Sequence, residues 1–421
     1  MLGELRTIDD VDVEGRRVLL RADFNVPLTK ASVGAPVRVA DDARIHGALA
    51  TIQELRLRGA RLVIVSGLDR PQGHDPALSM RPVADHLAAL TGDPGLLAPA
   101  VIGWRARDLT ERLEPGQVLM LENVRFEPGE TCNDPRLASA LAELADLYVN
   151  DDFGSAHRAH ASTEGVAHHL PAAAGRLLAR EVGALNAIAH GPARPLVTIV
   201  GGARLRGKIG AVRRFLELAD AGCVGGGMCC PVLAVQGHRV GSSLCPHEDL
   251  ESARLALSAA AGRGCRLELP QDLLLARRDY EESLAARLRN GVDVPDGWMG
   301  LDIGPTTAAR YAAEIAAAAT VFWYGPMGRF EFAAFAAGTR AIAGAIAATP
   351  AVTVAGGGAT AMALRSFGLR HHVSHLSAGG AASLEFLAGR ELPGVQALRR
   401  PRGHEAPIPP RTRAQGEGDT A

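Results

Sequence analysis

Val354-Ala355-Gly356-Gly357-Gly358-Ala359-Thr360-Ala361-Met362-Ala363 passes from a β-branched run through three glycines into helix-forming alanine and methionine. That order of residue types reads as strand, tight loop and helix. A helix start leaves backbone N–H groups unpaired and carries partial positive charge, and glycine lets a phosphate come close to the backbone. The pattern recurs at Gly201-Gly202 after a strand at 195–200, at Gly225-Gly226-Gly227 after 223–224, and at Gly379-Gly380 after 373–376. One such break is no more than a βα turn. Four, all at the carboxyl ends of strands where open α/β sheets bind ligands, predict a site built around a polyphosphate, with a nucleotide as the natural occupant.

The chain has 421 residues, too many for one hydrophobic core, so two domains are expected. A net charge of −1 offers no basic face for nucleic acid or an anionic membrane. No apolar run reaches the roughly 20 residues that span a bilayer. The start, Met1-Leu2-Gly3-Glu4-Leu5-Arg6, lacks a signal-peptide core. The six cysteines show no C-x-x-C spacing and two of them, Cys229 and Cys230, are adjacent, which suits reduced thiols in the cytoplasm. Lysine occurs only at Lys30 and Lys208 among 45 basic residues, which makes the place of each informative.

Strand-like and helical runs alternate along the chain. Arg17–Arg21 reads as a strand, and Asp42 is expected to cap a helix with Ile45, Leu49, Ile52 and Leu55 at helical spacing. A strand at 61–65, a helix at 80–90 with Pro82 in its first turn, a strand at 118–121, a helix at 135–145 and a strand at 147–149 follow. The alternation predicts an α/β fold of two doubly wound domains with mainly parallel sheets. Residues 172–190 read as one helix without an internal strand, closed by Gly191-Pro192, and serve as the expected connection between the domains. Beyond Arg399 the chain has hardly any apolar residues, and this tail is expected to be disordered.

Several longer motifs carry a family resemblance. Arg21-Ala22-Asp23-Phe24-Asn25-Val26-Pro27, Leu121-Glu122-Asn123-Val124-Arg125-Phe126 and Asn150-Asp151-Asp152-Phe153-Gly154-Ser155-Ala156-His157-Arg158-Ala159-His160 resemble phosphoglycerate kinases. So do Trp298-Met299-Gly300-Leu301-Asp302-Ile303-Gly304-Pro305, Gly325-Pro326-Met327-Gly328-Arg329-Phe330-Glu331 and Ser383-Leu384-Glu385-Phe386-Leu387, in order along nearly the whole chain. The resemblance implies an acceptor domain (1–175), an interdomain helix (176–193) and a nucleotide domain (194–375), facing across a hinge cleft. A segment at 376–398 would return to the first domain, ahead of the tail at 399–421. It also implies a cytoplasmic monomer acting on small molecules, with Mg2+ accompanying ATP or ADP. By the same resemblance Asp23, Asn25, Arg44, Arg70, Arg125 and Arg158 bind phosphoglycerate. Arg44, Arg204 and Lys208 serve the transferring group. Lys208, Gly226, Leu301, Glu331, Gly356, Gly357, Gly358 and Thr360 hold the nucleotide, and His157 and His160 order the loop that presents Arg158.

The chain departs from the family's pattern at functional positions. Arg204 stands for a lysine, Ala359 for the aspartate that helps hold Mg2+, Gly67 for a histidine, Asp69 for a glycine and Tyr324 for an asparagine. Ala378 and Ala381 stand for threonine and glycine in the last anion-binding loop. Three expectations follow: a working phosphoglycerate kinase, a kinase of a related carboxylate, or a nucleotide- or phosphoglycerate-binding protein with little catalysis.

Overall fold

The computed structural model describes residues 4–29, 36–203, 208–277 and 286–399. Two α/β units follow one another. The first contains β1 (Arg17–Arg21), β2 (Arg61–Val65), β3 (Leu96–Leu97), β4 (Val118–Met120), β5 (Leu147–Asn150) and β6 (Ala172–Ala174), in the sheet order β3-β4-β2-β1-β5-β6. All its pairings are parallel. Such a sheet is covered on both faces, so its central strands must be apolar throughout. Val18, Leu19 and Leu20 of β1 and Leu62, Val63 and Ile64 of β2 are accordingly buried. The helix Ala43–Leu57 covers one face with Ile45, Ile52 and Leu55. The helices Pro135–Ala142 and Arg176–Ala189 cover the other with Leu137, Leu141, Leu178 and Leu185.

The second unit contains β7 (Leu196–Val200), β8 (Ala221–Val224), β9 (Arg266–Glu268), β10 (Asp272–Ala276), β11 (Arg287–Asn290), β12 (Met299–Ile303), β13 (Thr320–Tyr324), β14 (Val352–Gly356) and β15 (His375–Ser377). Six of them form a parallel sheet, β15-β14-β13-β7-β8-β9. The others make a small antiparallel sheet, β11-β10-β12. The four glycine breaks follow β7, β8, β14 and β15, so parallel pairing puts them all on one edge of the larger sheet.

Two local expectations are corrected. Asp42 holds the N-cap position but its side chain makes no cap; Asp41 Oδ1 accepts from the Ala43 amide at 2.9 Å instead. Residues 172–190 are not one helix, because Ala172–Ala174 pairs with β5 as an edge strand. Alanine favours helix, yet the ladder wins: the Gly175 amide continues it to Asn150 O at 2.9 Å. The helix starts only at Arg176, where Asp151 Oδ1 accepts the amides of Leu177 and Leu178 at 2.8 and 3.2 Å.

The end of the described chain lies against the first unit. Gly394 N donates to Ala156 O at 2.9 Å and Arg6 N to Leu398 O at 3.2 Å, while Leu5 and Arg399 form an antiparallel bridge. The rest of the tail expected at 399–421, from residue 400 on, lies outside the described residues.

Candidate active site

The loops that leave β1, β2 and β5 at their carboxyl ends meet around a cavity of about 270 Å3. Asp23, Asn25, Arg44, Arg70, Arg125 and Arg158 all line it. Arg44, at the start of the helix Ala43–Leu57, donates to both Asp23 carboxylate oxygens at 2.8 and 2.7 Å. Burial pushes the Asp23 carboxyl up, with Asp152 adding to it, while Arg44 and Arg21 oppose. Arg125 and Arg158 have no carboxylate within salt-bridge distance among the described residues, and burial, then Arg21 and Arg158, pulls the Arg125 pKa down. Guanidiniums crowded in this way are stabilised by a bound phosphate or carboxylate, whose oxygens match their fork of donors.

Beneath them lies a network that sequence reasoning left unassigned. Arg21 is buried, pairs with Asp152 at 2.9 Å and donates to Ser162 Oγ at 3.0 Å; Ser162 Oγ in turn donates to Glu130 Oε1 at 2.6 Å. The available signal was an arginine closing an otherwise buried strand, since an arginine is seldom buried without a partner. His157 Nε2 accepts from Arg158 Nε at 3.2 Å, and burial, then Arg158, keeps its pKa low. His160 lies 3.6 Å from Glu130 Oε1, and burial, then Arg21, Arg125 and Arg158, pulls it down to about 4. Burial thus favours the neutral form of both rings, which lie in the loop that carries Arg158.

Arg125 runs directly over Gly67. A Cβ at that glycine would stand 2.7 Å from Arg125 Nε and 3.0 Å from its Cγ, so the arginine stem fills the place a histidine would need. Asp69 has φ +53, the left-handed region where glycine is free and aspartate is among the few tolerated alternatives. Its amide donates to Asn25 Oδ1 at 2.9 Å. The fourth glycine break also belongs here. Gly379 and Gly380 line this cavity, not the one at the other breaks, which corrects the expectation that all four surround one polyphosphate.

The second cavity, about 800 Å3, lies at the carboxyl edge of the larger sheet of the second unit. Lys208, Gly226, Leu301, Glu331, Gly357, Gly358 and Thr360 line it, whereas Gly356 ends β14 and does not. Gly357 has φ +93 and opens the helix Gly358–Ser366, so the break is a true helix start facing open space. Lys208 Nζ stands 5.5 Å from the centre of the Tyr324 ring, and burial lowers its pKa. Thr360 is buried, and its Oγ1 accepts from Gly325 N at 2.7 Å, tying the helix start to the end of β13. Glu331 is exposed, with Arg329 Nε 3.9 Å away. Arg204 lies outside the described residues.

The residues present do not fit a magnesium ion held by the protein. Among the described residues Glu331 is the only carboxylate that lines the second cavity. The Ala359 methyl packs beside Phe330, Ala336 and Ala363. Among the described residues no group of three histidine, cysteine or acidic side chains could hold a metal.

A buried carboxylate joins the two regions. Glu181, on the helix Arg176–Ala189, accepts the Ala378 amide at 2.7 Å and faces His375 Nε2 at 2.9 Å. It ties that helix to β15 and to the loop that borders the first cavity.

Comparison with known proteins gives consistent matches. The phosphoglycerate kinase family model matches residues 8–390. The phosphoglycerate kinase of Desulforudis audaxviator is 47% identical over 397 residues, 94% of this chain and 99% of that protein. That of Moorella thermoacetica is 45% identical over 93% of this chain and 98% of its own length. Among solved structures, phosphoglycerate kinase from Coxiella burnetii superposes with a TM-score of 0.85 at 38% identity, covering 94% of this chain and 99% of that one. The enzyme from Pyrococcus horikoshii gives 0.78 at 28% identity, covering 94% of this chain and 98% of its own.

Proposed function

Because this chain belongs to the phosphoglycerate kinase family, we propose that its first cavity takes the phosphoglycerate and its second cavity the nucleotide. The chain is a phosphotransferase with a carboxyl acceptor. The reaction is reversible transfer of a phosphoryl group between 1,3-bisphosphoglycerate and ADP, giving 3-phosphoglycerate and ATP, a step of glycolysis. The observation that carries the assignment of cavities is their opposite chemistry. One gathers Arg70, Arg125 and Arg158, none of them with a carboxylate within salt-bridge distance among the described residues, beside the paired Arg44, and the other is a glycine-walled space at a helix start beside Lys208.

A carboxylate acceptor is ionised at neutral pH, so transfer needs no general base. It needs alignment, exclusion of water and positive charge around the moving group. In this reading Arg125, Arg158 and Arg70 grip the acceptor's anionic groups, and Arg44, steadied by Asp23, faces the transferring phosphoryl group. Asn25 contacts the acceptor's hydroxyl and carboxyl end. Lys208 and the amides at Gly357 and Gly358 hold the nucleotide phosphates, Leu301 and Gly226 border the base, and Glu331 meets the ribose. Closure of the two units across the cleft brings the sites together, with 1–175 and 194–375 as the moving bodies and 176–193 between them. The setting proposed is the cytoplasm, with the chain as a monomer; light scattering on the purified protein tests the stoichiometry.

The test is a coupled assay with ATP, magnesium and 3-phosphoglycerate. Arg158→Ala should raise the acceptor KM at least tenfold and leave ADP affinity nearly intact, while Lys208→Ala should weaken ADP and ATP but not adenosine. The reverse pattern would exchange the cavities. Magnesium is proposed to arrive on the nucleotide phosphates and to keep most of its water, as this ion commonly does. Ala359→Asp should therefore lower the magnesium concentration for half-maximal rate several-fold. An unchanged requirement would show that position 359 does not face the ion.

A further inference from the structure

Tyr324 ends β13, the strand beside β14 in the larger sheet of the second unit. Its ring lies flat on the glycine loop: a Cβ at Gly357 would stand 3.1 Å from Tyr324 Cε2 and Cζ, and one at Gly356 3.4 Å from Cδ2. On the cavity side the ring meets the Lys208 ammonium at 5.5 Å from its centre. The tyrosine therefore lies beside two groups read as phosphate ligands, the lysine and the start of the helix Gly358–Ser366, while itself lining the same cavity. Its hydroxyl has no hydrogen-bond partner among the described residues, nor is it among their sealed, unpartnered polar atoms. A phenol lining a cavity without a protein partner keeps a donor free for a ligand.

We propose that Tyr324 is a nucleotide-binding residue of this chain, its hydroxyl donating to a phosphate oxygen of the bound nucleoside di- or triphosphate. The inference rests on the reading of the second cavity as the nucleotide site and adds a ligand to it. The chemistry suits the surroundings. With alanine at 359 the site offers the phosphates no carboxylate-held cation, and a neutral donor adds stabilisation there without introducing a charge. The ring has a second effect, because the ammonium resting on its face stays near the phosphate path instead of wandering into solvent.

The test is calorimetric binding of ADP, ATP and adenosine to the parent, to Tyr324→Phe and to Tyr324→Leu, with thermal melts to establish folding. Tyr324→Phe keeps the ring and its contact with Lys208 but removes the donor. Since a hydrogen bond to a charged group is among the stronger ones, Tyr324→Phe should raise the Kd of ADP and ATP about tenfold and leave adenosine unchanged. Tyr324→Leu, which also frees Lys208, should weaken ADP further. Tyr324→Phe binding ADP like the parent would overturn the proposal while leaving the nucleotide site in place. Equal losses for adenosine and ADP would overturn it too, because the tyrosine would then only shape the cavity. A parent that binds adenosine but gains nothing from phosphates would overturn both the proposal and the reading beneath it.

Discussion

At the scale of single residues, the departures from the family's pattern are accommodated by their neighbours. Gly67 is the clearest case. The Arg125 stem occupies the volume that a side chain at 67 would need, and the clash involves its middle atoms, not its flexible tip. Gly67→Ala should therefore push the whole arginine aside, raise the acceptor KM about tenfold and leave ADP affinity unchanged. Steady-state kinetics with each substrate varied in turn checks this; equal effects on both would mean a general loss of structure. Asp69 is a milder case, since a left-handed aspartate costs on the order of 1 kcal/mol relative to glycine and its amide is bonded to Asn25. The arginines of the first cavity and Lys208 of the second were legible because their residue types stand in long, ordered motifs. The Arg21, Asp152, Ser162 and Glu130 network was not, because its members lie far apart in sequence and meet only through the sheet.

At the scale of elements, periodicity located the buried strands and longer helices, and failed where pairing overrode propensity. Ala172–Ala174 is such a place, as no local signal in three alanines announces an edge strand. The sorting of the glycine breaks between two cavities was equally hidden. All four follow strands of one sheet, and only the packing of the loop after β15 against the first unit sends the last of them elsewhere. A testable element-level feature is Asp302 on β12. It accepts the amides of Gly338 and Ile303 at 2.7 and 2.9 Å, yet burial pushes its carboxyl up to about 7. The folded state thus retains a proton that the unfolded chain, with a carboxyl near 3.9, has already lost. This group's contribution to stability is full below about pH 4 and is lost as pH rises through 7. Asp302→Asn should remove that loss, so its stability relative to the parent should rise between pH 4 and 7.5 by up to about 4 kcal/mol, at about 1.4 kcal/mol per pKa unit. Denaturation series at several pH values check it; a difference that stays flat with pH would place the Asp302 carboxyl in its ordinary range.

At the scale of the whole molecule, the two units are tied at more than one place. Glu181 connects the helix between them to β15, and Arg365 reaches Asp41 Oδ2 at 2.6 Å from the other unit. Family-level identity over nearly the entire length favours the working kinase over the two alternatives that the substitutions had raised. The contact of the chain's end with its beginning bears on how the protein is made. A ribosome delivers the first unit early, yet among the described residues Ala156 O and Arg6 N find their backbone partners in Gly394 and Leu398, and the Phe153 ring meets Phe386. The unit translated first is therefore finished last, and during most of translation its rim waits with those groups uncovered. A nascent chain stalled with residue 380 outside the exit tunnel should leave the first unit open to proteases, and one stalled beyond residue 399 should protect it. Full protection at the earlier stall point would mean that the returning segment is an ornament of the finished enzyme and no part of how its first half is secured.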